Sequence, residues 1–141
     1  MLNKKIDIIL VTGFLGVGKT TLLNRLIERY KSKKLGVIIN DFGKISVDGI
    51  LLRDLLPDSQ NNSIIEIKNG SIFCSCLSVD LVTALKEYIE LNPDLLIIET
   101  SGLSDPSSFQ KILKENRVQK YFNLLSSVCL IDPINVIKLA K

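Results

Sequence analysis

The chain has 141 residues, of which 46% are hydrophobic and 23% are charged, and its formal net charge at pH 7 is +3. This composition is typical of a one-domain globular protein and excludes a low-complexity or disordered chain. No apolar run approaches the ~18 residues that a membrane span needs, so we expect no membrane partner and a cytoplasmic location. The lysines are scattered apart from a cluster at Lys31, Lys33 and Lys34, so the charge gives little reason to expect nucleic-acid binding.

The first apolar run, Ile8 to Val11, predicts a strand that is buried on both faces. It leads directly into GFLGVGKT at 13–20, which fits the phosphate-loop spacing G-x-x-x-x-G-K-[ST]. A helical pattern follows at once, and its apolar face consists of Leu22, Leu23, Leu26, Ile27 and Tyr30. Strand, loop and helix in this order predict a binding site for a nucleoside triphosphate and not a glycine-rich turn with a chance lysine.

Each residue type in this loop has a chemical reason. Glycines lack a Cβ, so the backbone N–H groups can curl closely around phosphates, and the positive end of the helix dipole faces the same anion. Lys19 adds an ammonium group for the β- and γ-phosphate oxygens, and Thr20 offers a hydroxyl to Mg²⁺. The predicted nucleotide-contacting residues of this segment are Gly13, Gly16, Val17, Gly18, Lys19, Thr20 and Thr21.

The rest of the chain alternates apolar runs with amphipathic segments. We predict further strands at 35–40, 64–67, 95–98 and 128–131, and further helices at 50–56, 77–88, 104–113 and from 134 onward. This alternation predicts an α/β protein with the three-layer P-loop fold, in which helices flank a mainly parallel sheet. Because the last helix is unfinished at Lys141, we expect residues 1–141 to be one nucleotide-binding domain that is cut short at its C-terminal end.

Acidic residues follow three of the predicted strands: Asp41, Glu99 and Asp132. Because ligands of such sheets gather at the carboxyl ends of the strands, Glu99 and Asp41 are candidates for binding Mg²⁺ or positioning the attacking water, and with Lys19 they form the predicted catalytic set. Alternatively, Glu99 caps the next helix and Asp41 forms a simple turn. Gly102 is a candidate for a backbone contact with the γ-phosphate, whereas Asp132 is better explained as a helix-entry residue.

Four motifs stand out when they are taken together: GFLGVGKTT at 13–21, NDFG at 40–43, NG at 69–70 and ETSGLSDP at 99–106. This set resembles the CobW-type GTPases, a family related to HypB and UreG that includes metallochaperones and cobalamin-biosynthesis accessory proteins. The resemblance implies GTP and Mg²⁺ as ligands. It also implies GTP hydrolysis coupled to delivery of zinc or cobalt to a client metalloprotein or corrinoid protein, with a homodimer as one arrangement.

The cysteines depart from the family pattern. Members carry C-x-C-C after the Asn-Gly turn, where this chain has Ser71, Phe73 and Cys74 at the three cysteine positions and Cys76 two residues beyond. Cys74 and Cys76 are therefore the candidate transition-metal ligands, but a zinc site needs about four ligands, so carboxylates or a second subunit would have to contribute. The alternative is that both cysteines simply pack within the loop.

Three functional hypotheses follow from this sequence. The first is a slow GTPase that serves metal or corrinoid delivery, since little in the chain resembles a strong general base. The second is a nucleotide-dependent switch with no metal cargo and negligible turnover. The third is a small-molecule kinase, although no segment resembles an acceptor lid. The preference for GTP over ATP is implied by the resemblance alone, because the motif that reads guanine in this family would lie beyond Lys141.

Overall fold

Strands and helices alternate along the chain. The computed structural model describes residues 4–41, 62–68, 78–100 and 106–139. Within these ranges the strands are β1 Ile6–Gly13, β2 Leu35–Asp41, β3 Ser63–Lys68, β4 Leu95–Glu99 and β5 Phe122–Leu130. The helices are α1 Lys19–Arg29, α2 Ser78–Leu91, α3 Pro106–Lys114, α4 Asn116–Gln119 and α5 Pro133–Leu139.

The five strands form one sheet in the order β3-β2-β4-β1-β5, and every pairing is parallel. Parallel neighbours require crossover connections, which the helices supply. The strand that leads into the phosphate loop, β1, therefore lies between β4 and β5, and the carboxyl ends of all five strands meet at one edge. The predicted α/β fold with a parallel sheet is confirmed.

Helices cover both faces of the sheet. On one face, the buried residues of α2, α3 and α4 pack against alternate residues of β1, including Ile8 and Leu10. On the other face, Leu23 and Ile27 of α1 pack with Ile9 and Val11. Since the residues Ile8 to Val11 are between 0% and 5% exposed, the prediction of a strand buried on both faces is confirmed.

Tyr88 fastens α2 to the sheet. Its hydroxyl accepts the Val37 N–H at 3.0 Å and lies 2.8 Å from the Val37 carbonyl oxygen and 3.0 Å from that of Ser63. Its ring lies over Gly36, where a Cβ would approach the ring to 2.4 Å. Burial raises the pKa of Tyr88 to about 12. The residue is thus both part of the apolar face that we predicted and a polar link between α2, β2 and β3.

At the amino-terminal edge of the sheet, Asp94 joins three chain segments. Its carboxylate accepts the Lys34 backbone N–H at 3.1 Å and the Lys4 ammonium at 2.9 Å, while its own N–H donates to the Lys34 carbonyl at 2.8 Å. The hydrogen bond from Lys4, followed by that from Lys34, holds the pKa of Asp94 below its ordinary value. These bonds fix the entries to β1, β2 and β4.

The β5 side of the sheet differs from the sequence-based prediction. This strand begins at Phe122, six residues before the predicted 128, and it carries a bulge opposite Ile8 and Ile9. Large apolar side chains remain exposed here, at Leu125, Ile131, Ile134, Val136 and Ile137. The short helix α4 was not predicted, and the predicted helix at 50–56 lies outside the described residues. Of the helices described, none has the length and apolar character to cross a membrane.

Candidate nucleotide-binding site

Three glycines shape the loop between β1 and α1. Gly13, Gly16 and Gly18 have φ angles of +138°, +76° and +93°, which L side chains rarely adopt. At Gly13 there is also no room for a side chain, because a Cβ would lie 2.4 Å from the Leu130 carbonyl oxygen of β5. The loop therefore starts against the backbone of the neighbouring strand and turns into α1 at Gly18, which is the helix N-cap.

The first turn of α1 keeps its backbone donors available for a ligand. The first helical hydrogen bond runs from Leu22 N–H to the Gly18 carbonyl at 3.0 Å, so the N–H groups of Lys19, Thr20 and Thr21 have no acceptor within the helix. No side-chain hydrogen bond caps this end, and no acidic residue lies in its first turn. Donors and helix dipole together favour an anion at this position.

Lys19 reaches back across the loop. Its ammonium group donates to the carbonyl oxygens of Gly13 and Phe14, each at 3.0 Å, and the residue is only 8% exposed. Since an ammonium group has three N–H donors, one remains for a phosphate oxygen. The side chains of Phe14 and Leu15, at the tip of the loop, point into solvent with 61% and 83% of their surface exposed.

The predicted acidic residues Glu99 and Asp41 lie at the ends of β4 and β2, two strands on the same side of β1. Glu99 is the last residue of β4, is 6% exposed, and lies in register with Val11 of β1 and Ile39 of β2. Asp41 is the last residue of β2 and pairs with Lys68 of β3. The sheet therefore brings the ends of β2, β4 and β1 to the same edge, as the sequence predicts.

Two buried polar residues at this edge belong to the motifs quoted above, but their structural role was not recognised from sequence. Asn40 is 3% exposed, and its amide donates to the Ile67 carbonyl of β3 at 3.3 Å. Thr100 is fully buried, and its N–H donates to the Val11 carbonyl at 2.9 Å, which ties the end of β4 to β1. Their position just after apolar runs is the signal that could have identified them as parts of the site's frame.

The oxygen donors at this edge fit a magnesium ion. Thr20 is half-buried in the first turn of α1, and Glu99 is a buried carboxylate at the end of the strand next to β1. Mg²⁺ prefers such hard oxygen ligands and usually keeps several waters and substrate phosphates in its shell. Thr20 and Glu99 therefore suit this ion in chemistry.

For transition metals, the described ranges hold no cluster of three or more His, Cys, Asp or Glu side chains that could bind an ion. Cys129, in β5, is an exposed free cysteine. The candidate ligands Cys74 and Cys76 lie outside the described residues, as does Gly102. Their roles stay predictions.

Several curated proteins are similar to this chain. A zinc chaperone CobW of Sinorhizobium sp is 40% identical over 105 residues, or 72% of this chain and 29% of that protein. The zinc chaperone YjiA of Escherichia coli K12 is 34% identical over 92% of this chain and 41% of its own length. A zinc-regulated GTPase metalloprotein activator 1 of Dictyostelium discoideum is 35% identical over 73% of this chain and 23% of its length. The chain thus spans between 23% and 41% of the length of these relatives.

Solved structures give the same fold. A Zn(II)-bound triple mutant of the YjiA GTPase superposes with a TM-score of 0.57 at 24% identity, covering 96% of this chain and 43% of that one. The signal recognition particle receptor FtsY of Elizabethkingia anophelis, in complex with GDP, gives a TM-score of 0.52 at 24% identity, covering 84% of this chain and 37% of that one. Both likenesses show the fold alone.

The family comparison covers almost the whole chain. Residues 7–141 match the model described as CobW/HypB/UreG, nucleotide-binding domain. The match begins within β1 and includes the phosphate loop, α1 and the strand ends that carry Asp41 and Glu99. The chain therefore belongs to the CobW/HypB/UreG family and corresponds to its nucleotide-binding domain.

Proposed function

We propose that this chain is the GTP-binding and GTP-hydrolysing domain of a metallochaperone that handles zinc. The observation that carries the proposal is the uncapped first turn of α1, which meets a glycine loop spanned by the Lys19 ammonium group. Membership of the CobW/HypB/UreG family and relatives named zinc chaperones support the choice of cargo.

The phosphates would be bound mainly by the backbone. The N–H groups of Lys19, Thr20 and Thr21 lack helical acceptors, so they can donate to phosphate oxygens without breaking a bond of the fold. Lys19 already lies across the loop, so its third donor neutralises phosphate charge at a small cost in side-chain entropy.

Magnesium would be held by the Thr20 hydroxyl and by Glu99, directly or through water, and Asp41 is the further candidate. When bound, the ion supplies neutralisation of charge on the β- and γ-phosphates. The protein's part is to fix the donors: Glu99 is buried at the end of β4, and Thr100 ties that strand end to β1.

Hydrolysis by this chain would be slow. The chain has no histidine, so Glu99 and Asp41 are the candidates for orienting the attacking water, and a carboxylate is a weak general base. A client protein or a second copy of the chain would then accelerate the reaction by completing the site.

Zinc would be the cargo, bound by Cys74 and Cys76 with ligands from a client or a second copy. Cobalt delivered to a corrinoid protein is the other cargo that the family resemblance implies. The alternative is a nucleotide-dependent switch without metal, which the residues Ser71 and Phe73 at family cysteine positions favour.

Zinc binding with and without nucleotide separates these functions. We expect one Zn²⁺ to compete with a chromophoric chelator when a non-hydrolysable GTP analogue is present, and weaker uptake with GDP. The Cys74→Ser/Cys76→Ser double variant should lose this uptake, whereas Cys129→Ser, at an exposed cysteine of β5, should keep it.

The other outcomes decide against the proposal in distinct ways. GTP binding without any zinc uptake would identify the switch instead. A preference for Co²⁺ over Zn²⁺ would reassign the cargo. Tighter binding of ATP than of GTP would reject the assignment as a GTPase.

A further inference from the structure

The edge of the sheet opposite the phosphate loop is rich in lysine. The turns that enter β1, β2 and β5 carry six of them, namely Lys4, Lys5, Lys31, Lys33, Lys34 and Lys120. The Lys4 and Lys31 side chains are in ion pairs, with Asp94 and Glu28. Because β1 spans eight residues, this edge lies about 25 Å from the nucleotide site.

A groove of about 340 Å³ opens at this edge between β5 and the helices α3 and α4. We call it the α3–β5 groove. Its charged lining residues are Lys5 and Lys114, and its neutral donors include Gln110 and Gln119. Its floor is apolar, formed by the buried side chains of Leu113 and Phe122.

The charge in this groove is unbalanced. Among the lining residues that the structure describes there is no carboxylate, and neither Lys5 nor Lys114 forms an ion pair with a described residue. Asn123, also in the lining, donates a hydrogen bond to the carboxylate of Asp7 at 2.8 Å, so this acid already has a partner within the protein. A second groove of similar volume, near Lys4, contains Glu90, and its lysine is already paired with Asp94.

We propose that the α3–β5 groove docks an acidic peptide segment of a partner protein, with an apolar side chain seated against the half-buried Leu124 and flanking carboxylates facing Lys5 and Lys114. The groove offers two unpaired cations beside amide donors and an apolar floor, which complements a segment that alternates acidic and aliphatic residues.

A nucleic acid fits this groove less well. Single strands bind largely by stacking bases on exposed aromatic rings, but Phe122 is only 4% exposed. Tyr121 is half-buried, and the Lys120 ammonium lies 4.8 Å from its ring centre.

The test is a fluorescence-anisotropy titration of the full chain. The probe is a fluorescein-labelled peptide in which glutamates alternate with leucines, compared with the same peptide carrying glutamine for glutamate and with labelled duplex DNA. We expect the acidic peptide to bind, with an affinity that falls as salt is raised, and to bind at least tenfold more tightly than either comparison probe.

Charge-reversal variants test whether the peptide binds in the α3–β5 groove. Lys5→Glu/Lys114→Glu should weaken peptide binding by about tenfold or more. The matched control is Lys111→Glu/Lys138→Glu, which makes the same change in net charge at exposed lysines outside the groove and should change affinity by less than about threefold. If the charge reversal lowers the melting temperature, peptide binding is measured instead with the milder variant Lys5→Gln/Lys114→Gln.

Four results would overturn the proposal. They are equal losses in the groove and control variants, equal binding of the glutamine peptide, tighter binding of DNA, and no binding of the acidic peptide at submillimolar protein. Because GTP affinity is not a readout here, none of these results depends on the proposed GTPase function.

Discussion

The two edges of the sheet use polar residues in opposite ways. Apart from the Tyr88 hydroxyl, every polar or charged side chain that is buried within the described ranges lies at the carboxyl edge, at a strand end or at the start of α1; these are Thr12, Lys19, Asn40, Glu99 and Thr100. At the amino edge the charged pair is exposed, since the Lys4 and Asp94 side chains are 78% and 43% exposed.

This difference distinguishes polar residues that serve ligand binding from polar residues that serve folding. Burying a polar group costs free energy unless it is hydrogen-bonded, so a cluster of such groups at one edge indicates a purpose beyond stability. Exposed ion pairs, by contrast, contribute little free energy and mainly fix the geometry of turns. Substitutions at the carboxyl edge should therefore change nucleotide binding, and those at the amino edge should leave it unchanged.

The largest expected effect comes from Lys19→Ala. Loss of an ammonium group that lies 3.0 Å from two loop carbonyls, and that we propose binds the phosphates, should weaken GTP binding by about a thousandfold, or ~4 kcal/mol. Titration with a fluorescent GTP analogue measures this loss. Lys31→Ala, at an exposed lysine of the amino edge, is the control and should bind normally; unchanged affinity in the Lys19 variant would reject the site.

Gly13→Ala should lower the free energy of unfolding by about 3 kcal/mol, because a φ of +138° and a Leu130 oxygen at 2.4 Å both oppose a Cβ. Gly18→Ala is the matched comparison. At Gly18 the φ is +93° but nothing lies within 4 Å, so the cost should be about 1 kcal/mol of strain. Urea denaturation of both variants measures the difference, and equal losses would contradict the close approach of β1 and β5.

Alkaline pH should destabilise the protein through Tyr88. Its pKa is raised to about 12 in the folded state from 10.0, so its contribution is full below pH 10 and is lost as the pH rises to 12. The loss should reach roughly 2–3 kcal/mol. Urea denaturation at pH 9 to 12 measures it, and Tyr88→Phe, which cannot ionise, should not show that part of the decline. The same slope in both proteins would contradict the assignment.

The smallest effect should come from Asp94→Asn at the amino edge. The hydrogen bond from Lys4 lowers the pKa of this carboxyl, so its stabilisation is present above its unfolded pKa and disappears as the pH falls through the folded pKa. Because the pair is largely exposed, we expect less than about 1 kcal/mol at neutral pH and unchanged GTP affinity. A loss of nucleotide binding in this variant would contradict the conclusion that the amino edge does not affect the nucleotide site.

The sequence was most informative where one pattern was continuous. β1, the phosphate loop and α1 follow one another without interruption, so strand, loop and helix could all be predicted from this one stretch of sequence. Glu99 and Asp41 were placed correctly at the ends of β4 and β2, because an acid after an apolar run marks the end of a buried strand. Asp132 is likewise confirmed at the entry to α5, where its carboxylate accepts the Ile134 N–H at 2.9 Å.

What sequence could not provide depends on contacts between distant segments. The polar link made by Tyr88 was hidden because the residue also fits the apolar face of α2. The early start of β5 was missed because polar residues, Asn123, Ser126 and Ser127, interrupt its first part, which therefore lacks the apolar run of a buried strand. The need for glycine at position 13 comes partly from Leu130, more than a hundred residues later, and no local pattern reveals it.

The contact between Gly13 and Leu130 gives the edge strand β5 a mechanical connection to the phosphate loop. Because the loop begins against a backbone oxygen of β5, any protein that shifts this strand also shifts the first carbonyl to which Lys19 is bonded. If the loop binds a nucleotide as proposed, a partner on the rim of the sheet is therefore expected to change nucleotide exchange without touching the ligand.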